Sequence, residues 1–246
     1  MVIELFGIFL YPALALEFTL TQEFSGFSLD KNIRTLNREV IDLLKYLRYN
    51  FSKRNKEVNK MENLTKERQL EIEDVVADLL ANFGYNNEKN TCLKIIAFVR
   101  NLGFNPGNSN FDESVDSMII IRASDLERTD TFGDKIIAVN SNRSFERKRF
   151  LIAYEFARYI LNYGGERFFK HTKETSVCEE NLSYFALALL MPKNSFKQYY
   201  NKLRINGAFG NSLVIQLSSE YQVALENVSQ RIQDLKGLGE LNDIDE

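Results

Sequence analysis

At 246 residues, with 44% hydrophobic and 26% charged side chains, the chain is long enough to bury a sizeable core in one domain with an appendage. A net charge of −3 gives no broad basic face for a phosphate backbone, so direct nucleic-acid binding is not expected. The two cysteines, Cys92 and Cys178, are too few for a disulfide scaffold and are expected to be reduced thiols of a cytoplasmic protein.

Residues 2–18 are apolar, but Glu4, Pro12 and Glu17 interrupt them and the first basic residue is Lys31. A signal peptide needs earlier positive charge and a membrane span needs a longer unbroken run, so the expectation is a helix docked on protein and no membrane segment. Met61 is a second candidate start, which leaves open whether the residues before it belong to the natural protein. Leu29, Ile33, Leu36, Val40, Leu43 and Leu47 recur in steps of four and three, an apolar seam on a helix over 30–49. That seam packs either on its own domain or, through 29–47, on a second copy or partner helix. Residues 52–63 are rich in Lys, Arg, Glu and Asn and read as a solvated link. The expected organisation is an N-terminal helical extension over 1–60, a central domain over 61–206 and a helix-turn-helix-like module over 207–246.

Thr65 reads as an N-cap, and Ile72, Val75, Val76, Leu79 and Leu80 give a helix that runs to Gly84. A second helix is predicted over 90–102, ending at Gly103. Residues 106–116 carry loop chemistry, and Ser117 to Ile121 form a short buried-strand pattern. Residues 135–140 predict a second strand, entered through a turn at Gly133 and Asp134. Two apolar helices follow, over 149–161 and 179–192. Residues 213–235 give two helical patterns about a turn at Tyr221, Gln222 and Val223, with Leu217, Val223, Val228, Ile232 and Leu235 facing inward. Arg231 and Lys236 lie there among Glu226 and Asp234, so packing is favoured over DNA contact. The fold class is α+β: a mostly helical domain with a small sheet.

The two apolar helices carry the chemistry. In a zinc peptidase the pattern H-E-x-x-H puts two imidazoles on one helical face, the Glu between them acts on zinc-bound water, and a later helix supplies a carboxylate ligand. Here the frame is Tyr154, Glu155, Phe156, Ala157 and Arg158, and the chain's single His, His171, lies in neither helix. The surroundings resemble the ImmA/IrrE family of small metallopeptidases. Its pattern runs from a strand through an Asn-rich turn into R-F-x-x-A-H-E-x-G-H-x-x-L and then E-x-x-A-N-x-F-A-A-x-L-L-M-P. This chain offers residues 136–142, Arg149, Phe150, Ala153, Glu155, Leu161, Glu179, Phe185, Ala186 and residues 189–192, within a similarity spanning roughly 65–238.

The resemblance implies a zincin-like fold, with zinc as the cofactor of active relatives. It also puts Tyr154 and Arg158 at the two imidazole positions, Glu155 at the general-base position and Glu179 at the third-ligand position. Ser183 stands where the family has Asn or Asp. No metal is expected, because Arg offers no lone pair and two carboxylates beside a cation suit zinc poorly. Arg158 is expected instead to act as internal counter-ion to Glu155 and Glu179. His171 is expected at the surface or a hinge. A sharper alternative rebuilds a metal site from His171, Cys178, Glu179 and Glu155.

Three functions follow. The first is a catalytically degenerate homologue that binds a protein partner, as the family's active members act on DNA-bound helix-turn-helix repressors; an extended segment of that partner is expected beside Ile137, Val139 and Asn140. The alternatives are an active zinc endopeptidase with altered ligands and a DNA-binding regulator using the C-terminal helices.

Overall fold

The computed structural model describes residues 64–85, 92–121, 135–161, 168–170 and 177–241, with side chains from 179 onward in the last segment and none over 168–170. All lie in one compact unit, Ile41–Glu246. The readings made for residues 2–18, the 29–47 seam, the 52–63 link, the 60/61 boundary, the turn at Gly133 and Asp134, and His171 fall outside the described residues.

Helix α1, Lys66–Asn82, starts where the Thr65 hydroxyl accepts the Arg68 N–H at 3.2 Å. It stops at Gly84, whose φ of +65° lets the Tyr85 N–H return to the Leu80 carbonyl. Helix α2 is shorter than predicted, Ile95–Asn101. Residues 92–94 turn out of the helix because the Leu93 carbonyl is used twice, by the Ile95 N–H at 2.8 Å and by Arg149 Nη2 at 2.9 Å.

The sheet has four strands in the order β1-β3-β2-β4: β1 Phe104–Ser109, β2 Ser117–Ile121, β3 Lys135–Asn140 and β4 Phe168–Lys170. Strand β1 corrects the expectation of a loop from Pro106 onward. Phe104 and Pro106 are buried and alternate with exposed Asn105 and Gly107. Proline has no N–H to give the ladder, and β1 is an edge strand where none is required on its outer side. It runs parallel to β3, with Pro106 opposite Ile137, whereas β2 is antiparallel to both β3 and β4.

Helix α3, Phe145–Ile160, lies against one face of this sheet and against helix α4, Val177–Leu190. Because both sides are covered, eleven of its sixteen residues are buried, including an unbroken run from Arg149 through Ala157. Phe156 is at the centre, with ring centroids 5.9 Å from Phe98, 5.4 Å from Phe104 and 6.3 Å from Phe185. Helices α5, Lys193–Ile205, α6, Gly210–Tyr221, and α7, Leu225–Gly237, complete the chain order. Gln222 turns α6 into α7 with φ of +52°, and Leu217, Val223, Val228 and Leu235 are fully buried. The described residues form a mostly helical α+β zincin-like domain. Among them no helix is long and apolar enough to cross a membrane.

Candidate functional site

Helix α3 is aimed from its N-terminus. Ser144 caps it by accepting the Arg147 N–H, and Asp116, just before β2, takes Arg143 Nε and Arg147 Nη2 at 2.6 Å each. Burial alone would raise the Asp116 carboxyl, but the two guanidiniums outweigh it and hold it below its ordinary value. The first turn of α3 is thereby tied to the start of β2, which sets Glu155 beneath that strand.

Glu155 has no exposed surface. Its Oε1 accepts the Ser117 hydroxyl at 2.7 Å, and its Oε2 lies 3.3 Å from Arg158 Nε. Desolvation pushes the carboxyl up to about 6, although Arg158 and Ser117 both pull the other way. The Arg158 guanidinium lies 5.4 Å from the centre of the Tyr154 ring. Tyr154 is 2% exposed, and burial drives its hydroxyl far above the ordinary phenol value. Arg158 opposes that shift, and Glu179 and Glu155 add to it, so all four side chains share one electrostatic environment. Glu179, in the first turn of α4, is half-buried.

Zinc is the group this fold family implies, and the donors present do not fit it. A tyrosine ligand is a phenolate, yet here the phenol is held neutral by burial. A guanidinium has no lone pair, and this one lies beside the only carboxylate that α3 directs inward. Among the described residues no three His, Cys, Asp or Glu side chains converge as a metal site. The alternative ligand set involved His171 and Cys178, and neither side chain is described.

The structure corrects the expected partner strand. β3 is an interior strand, paired along its length with β1 and β2, so neither of its edges can accept an added segment. Ile137 and Val139 are buried under α3, at 0% and 2% exposure. Asn140, at 1%, is a clamp: its amide donates to the carbonyls of Phe111, Asp112 and Val115 at 3.4, 3.3 and 2.9 Å, and its own carbonyl accepts the Asn142 N–H. The Asn-rich turn thus holds the β1–β2 connection in place.

Sequence reading missed Ser117. Its signal was positional, since it stands two residues before the buried Ile119 and so on the inward face of β2. It also missed the role of Arg231, which was weighed only as part of the charge of the last helix. Arg231 is fully buried, binds both Glu73 oxygens and donates to the Met191 carbonyl at 3.1 Å. Arg149, named from the family pattern alone, has a structural role as well: its guanidinium reaches the carbonyls of Leu93, Tyr221 and Gln222 and so holds the α6–α7 turn against the residues leading into α2.

A central helix with an inward Glu, crossing under a small mixed sheet and backed by a second helix that brings a further Glu, defines a zincin-like, metallopeptidase-like protein. Residues 113–233 match the peptidase M78 family model, described as an IrrE N-terminal-like domain, which supports an ImmA/IrrE-family, metallopeptidase-like protein. No curated protein matches the chain.

Proposed function

We propose that this protein is a metal-free ImmA/IrrE-type homologue that acts by gripping a protein partner rather than by cutting it. The observation that carries the reading is the Glu155–Arg158 pair. A carboxylate that would serve as base toward a metal-bound water instead has a guanidinium 3.3 Å away and a serine hydroxyl on its other oxygen. Without a metal to lower the pKa of a water, a carboxylate in that setting has no activated nucleophile to deprotonate. The packing residues of the frame are kept all the same, as Phe150, Ala153, Leu161, Phe185 and the buried run 186–191 attest.

The partner we propose is a cytoplasmic helix-turn-helix repressor, held intact so that it is sequestered from its operator. Since β3 is closed on both edges, the grip uses a surface other than the one beside Ile137 and Val139. The test is metal content and cleavage measured together on untagged protein mixed with the repressor encoded nearest to it. The reading expects substoichiometric zinc, a stable complex and an intact repressor. Stoichiometric zinc, with chelator-sensitive cleavage lost in Glu155→Gln, would overturn it.

A further inference from the structure

The end of α5 brings together the two halves of a self-modification site. Asn206 caps the helix and Gly207 follows it, the one Asn-Gly step in the 246-residue sequence. An Asn side-chain amide is open to attack by the backbone nitrogen of the next residue, and glycine, having no Cβ, hinders that approach least. Both residues are exposed, so water reaches them.

The fold holds the reacting groups apart. Ring closure needs the Asn206 Cβ and the Gly207 nitrogen on the same side of the Cα–C bond, whereas a ψ of 9° turns them away from each other. The nitrogen is also engaged. The Gly207 N–H donates to the Arg204 carbonyl at 3.0 Å and the Ala208 N–H to that of Leu203 at 3.0 Å, a Schellman turn that the Gly207 φ of +83° makes possible. Leu203 and Ala208, the apolar pair such a turn brings together, are each 6% exposed. The reaction therefore waits for the last turn of α5 to open, and helix ends are where opening is easiest.

We propose that Asn206 is a site of spontaneous deamidation gated by this turn. In the open turn the Gly207 nitrogen gives its proton to hydroxide and bonds to Asn206 Cγ. The Cγ–Nδ2 bond breaks, and Nδ2 takes up a proton from water and leaves as ammonia. Water then opens the cyclic imide at one or other carbonyl, giving aspartate or isoaspartate. Aspartate puts negative charge at a helix C-terminus, where the macrodipole disfavours it. Isoaspartate does more, because it routes the main chain through Cβ and inserts a methylene between 206 and 207. Both turn hydrogen bonds span that point, so neither closes as before, and the corner between α5 and α6 stays open. The site is separate from Glu155, so failure of either reading leaves the other standing.

The test holds the full chain at mildly alkaline pH, in buffer and in urea, and digests it with trypsin, which releases residues 205–231 as one peptide carrying Asn206, Asn211 and Asn227. In urea, where only local chain chemistry counts, fragmentation in the mass spectrometer is expected to place the amide-to-acid conversion at Asn206 first. Two hydrogen bonds at a helix end should slow that conversion roughly 10- to 100-fold in buffer. Hydrogen exchange at the Gly207 amide should show protection of the same size, because one opening frees the nitrogen for both reactions. The isoaspartate form should then lose protection at Gly207 and Ala208, whereas Asn206→Asp, with its ordinary main chain, should keep most of it. Earlier conversion at Asn211 or Asn227 in urea, equal rates in buffer and in urea, or a slowing unlike the Gly207 protection would overturn the proposal. So would an isoaspartate form whose turn amides stay protected.

Discussion

Arg231 and Glu73, separated by 158 positions in the chain, form a two-toothed ion pair in which neither side chain reaches water: Nη1 lies 2.5 Å from Oε1 and Nη2 lies 3.1 Å from Oε2. Tyr184 donates to the same Glu73 oxygen at 2.8 Å. One charged cluster thus ties the first described helix to α4 and to the last helix. Desolvating two ions costs several kcal/mol each, and the bidentate geometry with the extra donors repays it only while both partners are present. Arg231→Met should therefore destabilise the fold by about 3–5 kcal/mol, since it strands a buried carboxylate. Arg231→Met with Glu73→Met should recover most of that loss. Urea unfolding of the two single variants and the double variant measures the coupling; additive losses would show that the pair is not acting as a unit.

Glu155 gives the fold a pH dependence opposite to that of an ordinary surface carboxylate. Its folded value, about 6, lies above its ordinary 4.5, so the native state holds the proton more tightly than the unfolded chain does. The stabilisation from this group is complete below pH 4.5 and is lost as pH rises through 6. A difference of that size corresponds to about 2 kcal/mol. Measured against Glu155→Gln, which removes the titration, the wild-type protein should lose about that much stability between pH 4.5 and pH 7. Arg158→Ala removes the charge that lowers the carboxyl, so the loss should grow and move to higher pH. A flat difference curve would mean that water reaches Glu155.

Asn140 makes a local prediction. Asn140→Ala leaves the carbonyls of Phe111, Asp112 and Val115 without its amide, and should cost roughly 1–3 kcal/mol in thermal unfolding. Asn140→Asp should cost more, because a second carboxylate oxygen would then face those carbonyls. Hydrogen exchange should rise first in residues 110–116. An effect spread evenly over the sheet would argue against the clamp.

These cases mark where the sequence was legible. Helix α1 announced itself through Thr65, its apolar spacing and Gly84, and α3 and α4 through runs too long and too apolar for anything but buried helices. The α6–α7 turn was readable because apolar positions fall in step on both sides of Gln222. Family resemblance pointed to Glu155, Arg158, Tyr154 and Glu179, of which the fold brings Arg158 to Glu155 and to the Tyr154 ring. Strand β1 was not legible: two buried residues among Asn, Pro and Gly look like a loop until a parallel neighbour supplies the ladder. Nor was the fate of Arg231, since a cation on an amphipathic helix is usually a solvated one, and only the distant Glu73 makes its burial affordable. The interior place of β3 was hidden for a related reason. Strand order depends on long-range pairing, which no local pattern encodes.

The last prediction restores what the family frame has and this chain lacks. On a helix, positions 154 and 158 share a face, with Glu155 between them and Glu179 acting on the same Tyr154 hydroxyl. Replacing Tyr154→His with Arg158→His removes the neutral phenol and the competing cation, and supplies two nitrogen donors beside the α4 carboxylate. The double variant should therefore take up zinc close to stoichiometry, and Glu179→Gln in that background should abolish the uptake. Hydrolysis need not follow, because Glu155 would still be sealed behind Ser117 with no exposed surface. Metal analysis after dialysis reads the first effect, and a fluorogenic peptide reads the second. If the double variant folds and stays free of zinc, positions 154, 158 and 179 do not form the family's metal frame, and the assignment of Arg158 as its replacement falls with it.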